Sequence, residues 1–187
     1  MCLWDDRDIL QYHFPIMFLY PSCERLFRNI LGLPGLSIEH LLFEFQYFQQ
    51  GDPLRYVKEL FIHLDDFIKR VNRSYPLKAT PLSTLNVYPI RETDKQPEYD
   101  LLGSISSGAK WYIADRPHLL ESFTGILPLL AFDTETNLLL QKLFTKLGLD
   151  NRFLSHCSEE NALTKGEVAL HQEFTNVMRS KVEFMMR

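Results

Sequence analysis

Asp115, His118 and Glu121 lie three residues apart and share one side of a short helix. A carboxylate, an imidazole and a second carboxylate on one face are the material of a general acid/base pair or of part of a metal site. Metal sites built on one helix place two histidines four apart and draw a further ligand from elsewhere, and neither feature is present here. The alternative is that Asp115 caps the helix, Arg116 pairs with a carboxylate and His118 is a surface or half-buried neighbour.

The other chemistry-bearing groups also have structural readings. His156 adjoins Cys157, but adjacent residues point in different directions and a catalytic base is normally remote in sequence. His63, Asp65 and Asp66 read as the solvated face of a helix. The run containing Gly103, Ser104, Ser106, Ser107 and Gly108 has neither phosphate-loop spacing, and Lys110 leads into a strand rather than a helix. Ser122, in Glu-Ser-Phe-Thr-Gly, lacks the elbow that exposes a hydrolase nucleophile. No catalytic, cofactor or metal site is therefore predicted. A small hydrolase-like or metal-assisted site at Asp115, His118 and Glu121 is the enzymatic alternative.

A net charge of −4 with 45% apolar residues, among them 14 Phe and 8 Tyr, describes a packed chain without a broad basic field. Nucleic acid is excluded as an expected partner. Asp5, Asp6 and Asp8 stand where a secretory signal would be basic, and no run approaches the ~20 apolar residues that span a bilayer. Three widely spaced cysteines, Cys2, Cys23 and Cys157, match neither a disulfide framework nor a zinc cluster. The expectation is an intracellular, cytoplasmic protein.

Local patterns predict an α+β fold. Residues 1–21 form an irregular lead-in, and a helical lobe spans 22–72. Within that lobe Ser22 starts a helix running to Leu31, with Leu26, Phe27, Ile30 and Leu31 on its buried side. Ser37 caps a second helix with Ile38, Leu41, Leu42, Phe45 and Phe48 inward. Phe43 and Tyr47 lie outside that stripe and imply cover on another side. Asp52 and Pro53 open a third helix, carrying Leu54, Val57, Phe61, Leu64, Ile68 and Val71, and so close a hairpin.

A small α/β lobe over 82–155 follows, with a sheet of about three short strands at Leu85–Ile90, Trp111–Ala114 and Leu129–Phe132. Pro89 suggests an edge position for the first. Asp133 caps a helix ended by a left-handed Gly148 with Leu149 against Phe144. Residues 166–187 are predicted as a long C-terminal helix with two apolar faces, and Phe174, Val177, Met178 and Val182 are its expected contact surface for a protein partner or a second copy. The corner from Asp115 to His118 is a second expected contact.

Leu85–Ile90, Trp111–Leu120, Leu129–Phe132 and Leu147–Ser155, taken in order, resemble a region of very large fungal proteins that begin with a histidine-kinase-like ATPase domain and are broadly similar to sacsin and NO VEIN. The resemblance extends from about Pro21 to the C-terminus. The ATPase signature, an Asn-bearing helix followed by Asp-x-Gly-x-Gly, is absent from the chain, and Glu24–Asn29 is one residue too long for the helix motif. The resemblance thus implies a downstream, non-catalytic module in a stand-alone or truncated copy. The corresponding expectation is a non-enzymatic interaction or scaffold module; a truncated gene remnant without independent function is the further alternative.

Overall fold

In a computed structural model that describes residues 2–6, 10–71, 81–92 and 98–158, the lead-in crosses the outside of a helical hairpin. Strands β1 (Cys2–Leu3) and β2 (Phe14–Pro15) pair in parallel, Cys2 opposite Phe14. A 3-10 turn at Pro21–Cys23 and a π-helix at Arg25–Ile30 come next. The expected helix is thus present in a wider coil, but its inward face is not: Leu26, Ile30 and Leu31 are 43%, 69% and 58% exposed. Only Phe27 of that stripe gains ring partners, Trp4 at 5.5 Å and Tyr20 at 5.4 Å.

Helix α1 (Ile38–Tyr47) buries Ile38, Leu41, Leu42 and Phe45, and Phe48 just beyond it, as the spacing predicts. At its start the Ser37 backbone N–H donates to His40 Nδ1 at 3.1 Å, a capping box in which histidine replaces the usual Glu or Gln. The lead-in covers its second side, where Tyr12 packs on Tyr47 and His13 on Phe43. Helix α2 (Leu54–Val71) buries Val57, Leu60, Phe61, Leu64 and Ile68.

The α2 start departs from expectation. Asp52 turns back to accept the Gln49 N–H at 2.8 Å, and the carboxylate of Glu98 accepts the Leu54 N–H at 3.1 Å. The connection is clamped by Tyr99, whose hydroxyl accepts from Gly51 N and donates to Asp52 O. Gly51 itself has φ 103°, a conformation open to glycine. Asp65, read as solvated, is only 4% exposed and is covered by Lys69 at 2.5 Å.

The principal sheet has the order β4 (Leu101–Gly103), β3 (Tyr88–Arg91), β5 (Leu129–Leu130), with both pairings antiparallel. Pro89 therefore sits on the central strand rather than an edge. A residue's N–H and C=O face the same neighbour, and the Pro89 carbonyl accepts Ala131 N at 2.8 Å, so the missing donor falls on the side of short β5 and the β4 ladder is intact. The expected strand at Trp111–Ala114 is reduced to bridges: Tyr112 pairs in parallel with Leu129, and Ile113 in parallel with Phe153.

Period-two alternation divides these segments between two layers. Trp111, Ile113, Leu130, Phe132 and Phe153 join the main core with the helical hairpin and Phe144. Ala114, Leu129 and Leu154 face the other way, against Leu119 of α3 (Pro117–Phe123). The predicted helix after Asp133 is divided at Leu140 into α4 (Thr134–Leu139) and α5 (Gln141–Leu147). Gly148 closes α5 at φ 83° with Leu149 N–H on Phe144 O, as predicted. A single turn, α6 (Leu154–Cys157), follows. The fold is α+β. The expected C-terminal helix over 166–187, including Phe174, Val177, Met178 and Val182, lies outside the described residues. Among the described residues no helix is long and apolar enough to cross a membrane.

Tyr88 is fully buried between Trp111, at 5.0 Å, and Phe61, at 5.5 Å, and its hydroxyl has no hydrogen-bond partner among the described residues. Burial pushes this phenol above its usual range. An unpaired buried hydroxyl costs about 1–3 kcal/mol of desolvation. Tyr88→Phe is therefore expected to hold or raise stability by up to about 1 kcal/mol, read as the midpoint of chemical denaturation; a loss above that size would show that the hydroxyl is bonded.

Candidate functional site

The three residues singled out from spacing do not converge. Asp115 precedes α3, whose N-cap is Arg116, and its 5% exposed side chain instead accepts the N–H of Ser155 at 3.2 Å and the Ser155 hydroxyl. It thus ties the end of the Trp111–Ala114 segment to the first turn of α6. His118 and Glu121 are exposed on α3. The geometry gives Asp115 a capping task on a different helix from the one expected. His156 Nδ1 lies 2.9 Å from Asp150 O, and Cys157 Sγ donates to Asn151 O at 3.1 Å, so both engage the backbone and not each other. Among the described residues no group of three or more His, Cys, Asp or Glu is placed to hold a metal ion.

Two polar sites emerge, of which the sequence revealed only the Asp133 cap of the second. In the first, Glu44 of α1 is fully buried and gathers four donors. Its carboxylate accepts Gln11 N–H at 3.0 Å, Tyr12 N–H at 3.2 Å, His13 Nδ1 at 2.6 Å and the Tyr56 hydroxyl at 2.7 Å. Burial, then the neighbouring Glu44 carboxylate, push the Tyr56 phenol well above its ordinary range. The signal was present in the pattern: position 44 is three beyond Leu41, on the same inward side of α1. A carboxylate there requires partners, and the lead-in supplies three of the four.

The second lies where β5 ends. Asp133, correctly read as a cap, accepts the Thr136 N–H and hydroxyl, both at 2.8 Å, and pairs with Lys58 of α2 at 2.5 Å. Next to it, the Asn137 amide donates to Ala114 O and Phe132 O and so ties the ends of two neighbouring segments. Two clefts meet at this turn. One, of about 320 Å³, runs between β3, β5 and the end of α3 and includes Arg91, Leu120, Thr124 and Asp133. The other, of about 430 Å³, runs along α2 past Arg55, Lys58 and Glu59. They share Leu54, Ala131, Phe132 and Asp133.

Burial alone would raise the Asp133 carboxyl, but its bonds from Lys58 and Thr136 outweigh that and hold it at about 2. An aspartic acid in the unfolded chain titrates near ~3.9. Its contribution to stability is therefore complete above about pH 4 and disappears as pH falls through about 2. The side chain is half exposed, so solvent screens the ion pair and the cap supplies most of the gain. Asp133→Ala is expected to cost about 1 kcal/mol at neutral pH. In urea melts the gap between wild type and variant should narrow below about pH 4; a gap independent of pH would show that the ionised form adds nothing.

No curated protein and no solved structure matches the chain. A family model described as "Domain of unknown function (DUF8348)" matches residues 39–158, which hold α1 from its second residue, α2 through α6, the principal sheet, both clefts and the Glu44 carboxylate but not the lead-in that binds it. The match covers well over half of the sequence, and the chain belongs to that family.

Proposed function

We propose that the protein is a non-enzymatic interaction module whose contact surface is the aromatic and aliphatic belt carried by the lead-in, the π-helix and the outer side of α1. Of thirteen large hydrophobic side chains that are exposed among the described residues, ten fall between Tyr12 and Tyr47, and that concentration carries the reading. Scattered single exposures are ordinary, whereas a cluster rich in Phe and Tyr and poor in charge has the composition of an interface core. Most of the belt precedes the family-matched residues.

A second copy is the occupant. An interface between identical patches must be self-complementary, and a surface whose ring and alkyl groups outnumber its charges meets its own image without like-charge repulsion. Cys2, Cys23 and Cys157 are all free, which supports a reducing, intracellular setting. The resemblance to the downstream part of the ATPase-bearing giant proteins supports a scaffold role as well.

Light scattering behind a sizing column tests this on the full chain. The wild type is expected as a dimer that dissociates on dilution, and Phe18→Ser combined with Ile30→Ser as a monomer with the melting temperature of the diluted, dissociated wild type, because both side chains are more than half exposed. A wild type that remains monomeric at every concentration, or a variant that still dimerises, would remove the belt from this role.

A further inference from the structure

We infer that the cleft between β3, β5 and the end of α3 is a binding site for a small organic anion with an apolar body, in which Arg91 receives the anionic group. The site goes beyond the interaction surface and shares no residue with it. Its volume of about 320 Å³ falls at the lower end of the range of small-molecule pockets. Leu54, Leu120 and Leu129 give the lining its apolar side chains, and Leu130, Ala131 and Phe132, which belong to the main core, also border it.

The ionic lining of this cleft is Arg91 and Asp133, and they are not equivalent. Asp133 is saturated from within the fold by Lys58 and by the N–H and hydroxyl of Thr136. Arg91 donates through Nε and Nη2 to one neutral acceptor, the carbonyl of Glu98, at 3.2 and 3.0 Å. Among the described residues its hydrogen bonds reach no carboxylate. A half-buried guanidinium beside apolar side chains, hydrogen-bonded among the described residues to a carbonyl alone, is complementary to a carboxylate and not to an ammonium. The anionic group is placed at Arg91, and the apolar body along Leu120 and Leu129, the residue paired with Arg91 across β3 and β5. A medium-chain carboxylate has this chemistry.

Calorimetric titration of the full chain with octanoate, octanol and octylamine tests the assignment. Octanoate is expected to bind with one site per chain, and octylamine at least about tenfold more weakly, the loss expected for one charge-assisted hydrogen bond. Arg91→Gln should weaken octanoate by about the same factor while leaving octanol unchanged. Thr124→Phe, which adds bulk at the α3 side of the cleft, should abolish octanoate binding, and the retained octanol binding of Arg91→Gln shows that the first variant is folded. The Phe18→Ser and Ile30→Ser variant should bind octanoate like wild type, which separates this cleft from the belt. The assignment is overturned if octanoate does not bind, if octylamine matches it, if Arg91→Gln binds it undiminished, or if binding is lost in the belt variant alone.

Discussion

Glu44→Ala is expected to remove about 3–5 kcal/mol of stability, the range found when one member of a buried charged cluster is deleted. The loss exceeds that of a single hydrogen bond because the acceptor is shared. Without the carboxylate, the backbone N–H groups of Gln11 and Tyr12, the His13 ring and the Tyr56 hydroxyl all lose their partner, the last two in a region closed to solvent. Stability of a domain is about 5–15 kcal/mol in total, so the change is a large part of it.

The damage has a predicted location. The lead-in contributes Leu3, Leu10 and Ile16 to buried positions, and Glu44 is its polar attachment to α1. Hydrogen exchange at Gln11 and Tyr12 should rise to that of an open segment, while the α2 and β3 amides lose protection only in proportion to the global loss. Tyr56→Phe, which deletes one donor and leaves the carboxylate three others, should cost about 1 kcal/mol. A Glu44→Ala variant within about 1 kcal/mol of wild type, with the lead-in still protected, would show that apolar packing alone holds the segment. In the interaction reading the same variant also loses dimerisation, since the belt is mounted on the strap that Glu44 fastens.

The sequence made the hairpin, the Gly148 cap and the α+β class legible because each depends on local periodicity or on one residue's conformational freedom. Ile38, Leu41, Leu42 and Phe45 recur at the helical period, and burial follows that period. The failures share a different cause. Leu26, Ile30 and Leu31 have a buried-face pattern, but burial requires a surface to receive them, and spacing does not encode whether one arrives. Pro89 is tolerated centrally because β5 is only two residues long and demands little from that side of β3. Asp115 caps a helix forty residues away, and Glu98 caps α2 from forty-four residues beyond Leu54. Such long-range capping follows from topology, which no window along the chain contains. The clefts are of the same kind: Arg91, Leu120 and Asp133 become neighbours only once β3, α3 and β5 have assembled.

Arg152 illustrates how far one side chain can serve that assembly, and Arg152→Ala is expected to cost about 2–4 kcal/mol, since three hydrogen bonds and a ring contact are lost together. Its Nη1 donates to Ala109 O and Trp111 O, and its Nη2 to Ile105 O, all at 3.2 Å. The guanidinium carbon lies 4.3 Å from the centre of the Trp111 ring, whose other neighbour is the buried Tyr88. Burial lowers the pKa of Arg152 from its usual value, yet arginine remains charged at any working pH. One planar cation therefore pins the loop before Trp111 and covers that ring, while its own backbone carbonyl accepts Ile113 N–H. Lysine retains the charge but not the fork. Arg152→Lys should recover less than half of the loss in urea denaturation, because an ammonium on a flexible stem reaches one carbonyl and stacks poorly. Full recovery by lysine would reduce the role of Arg152 to charge alone. Failure to recover, together with a changed near-ultraviolet signal from Trp111, would identify the planar fork as what holds the loop, the ring and the Ile113–Phe153 bridge in one register.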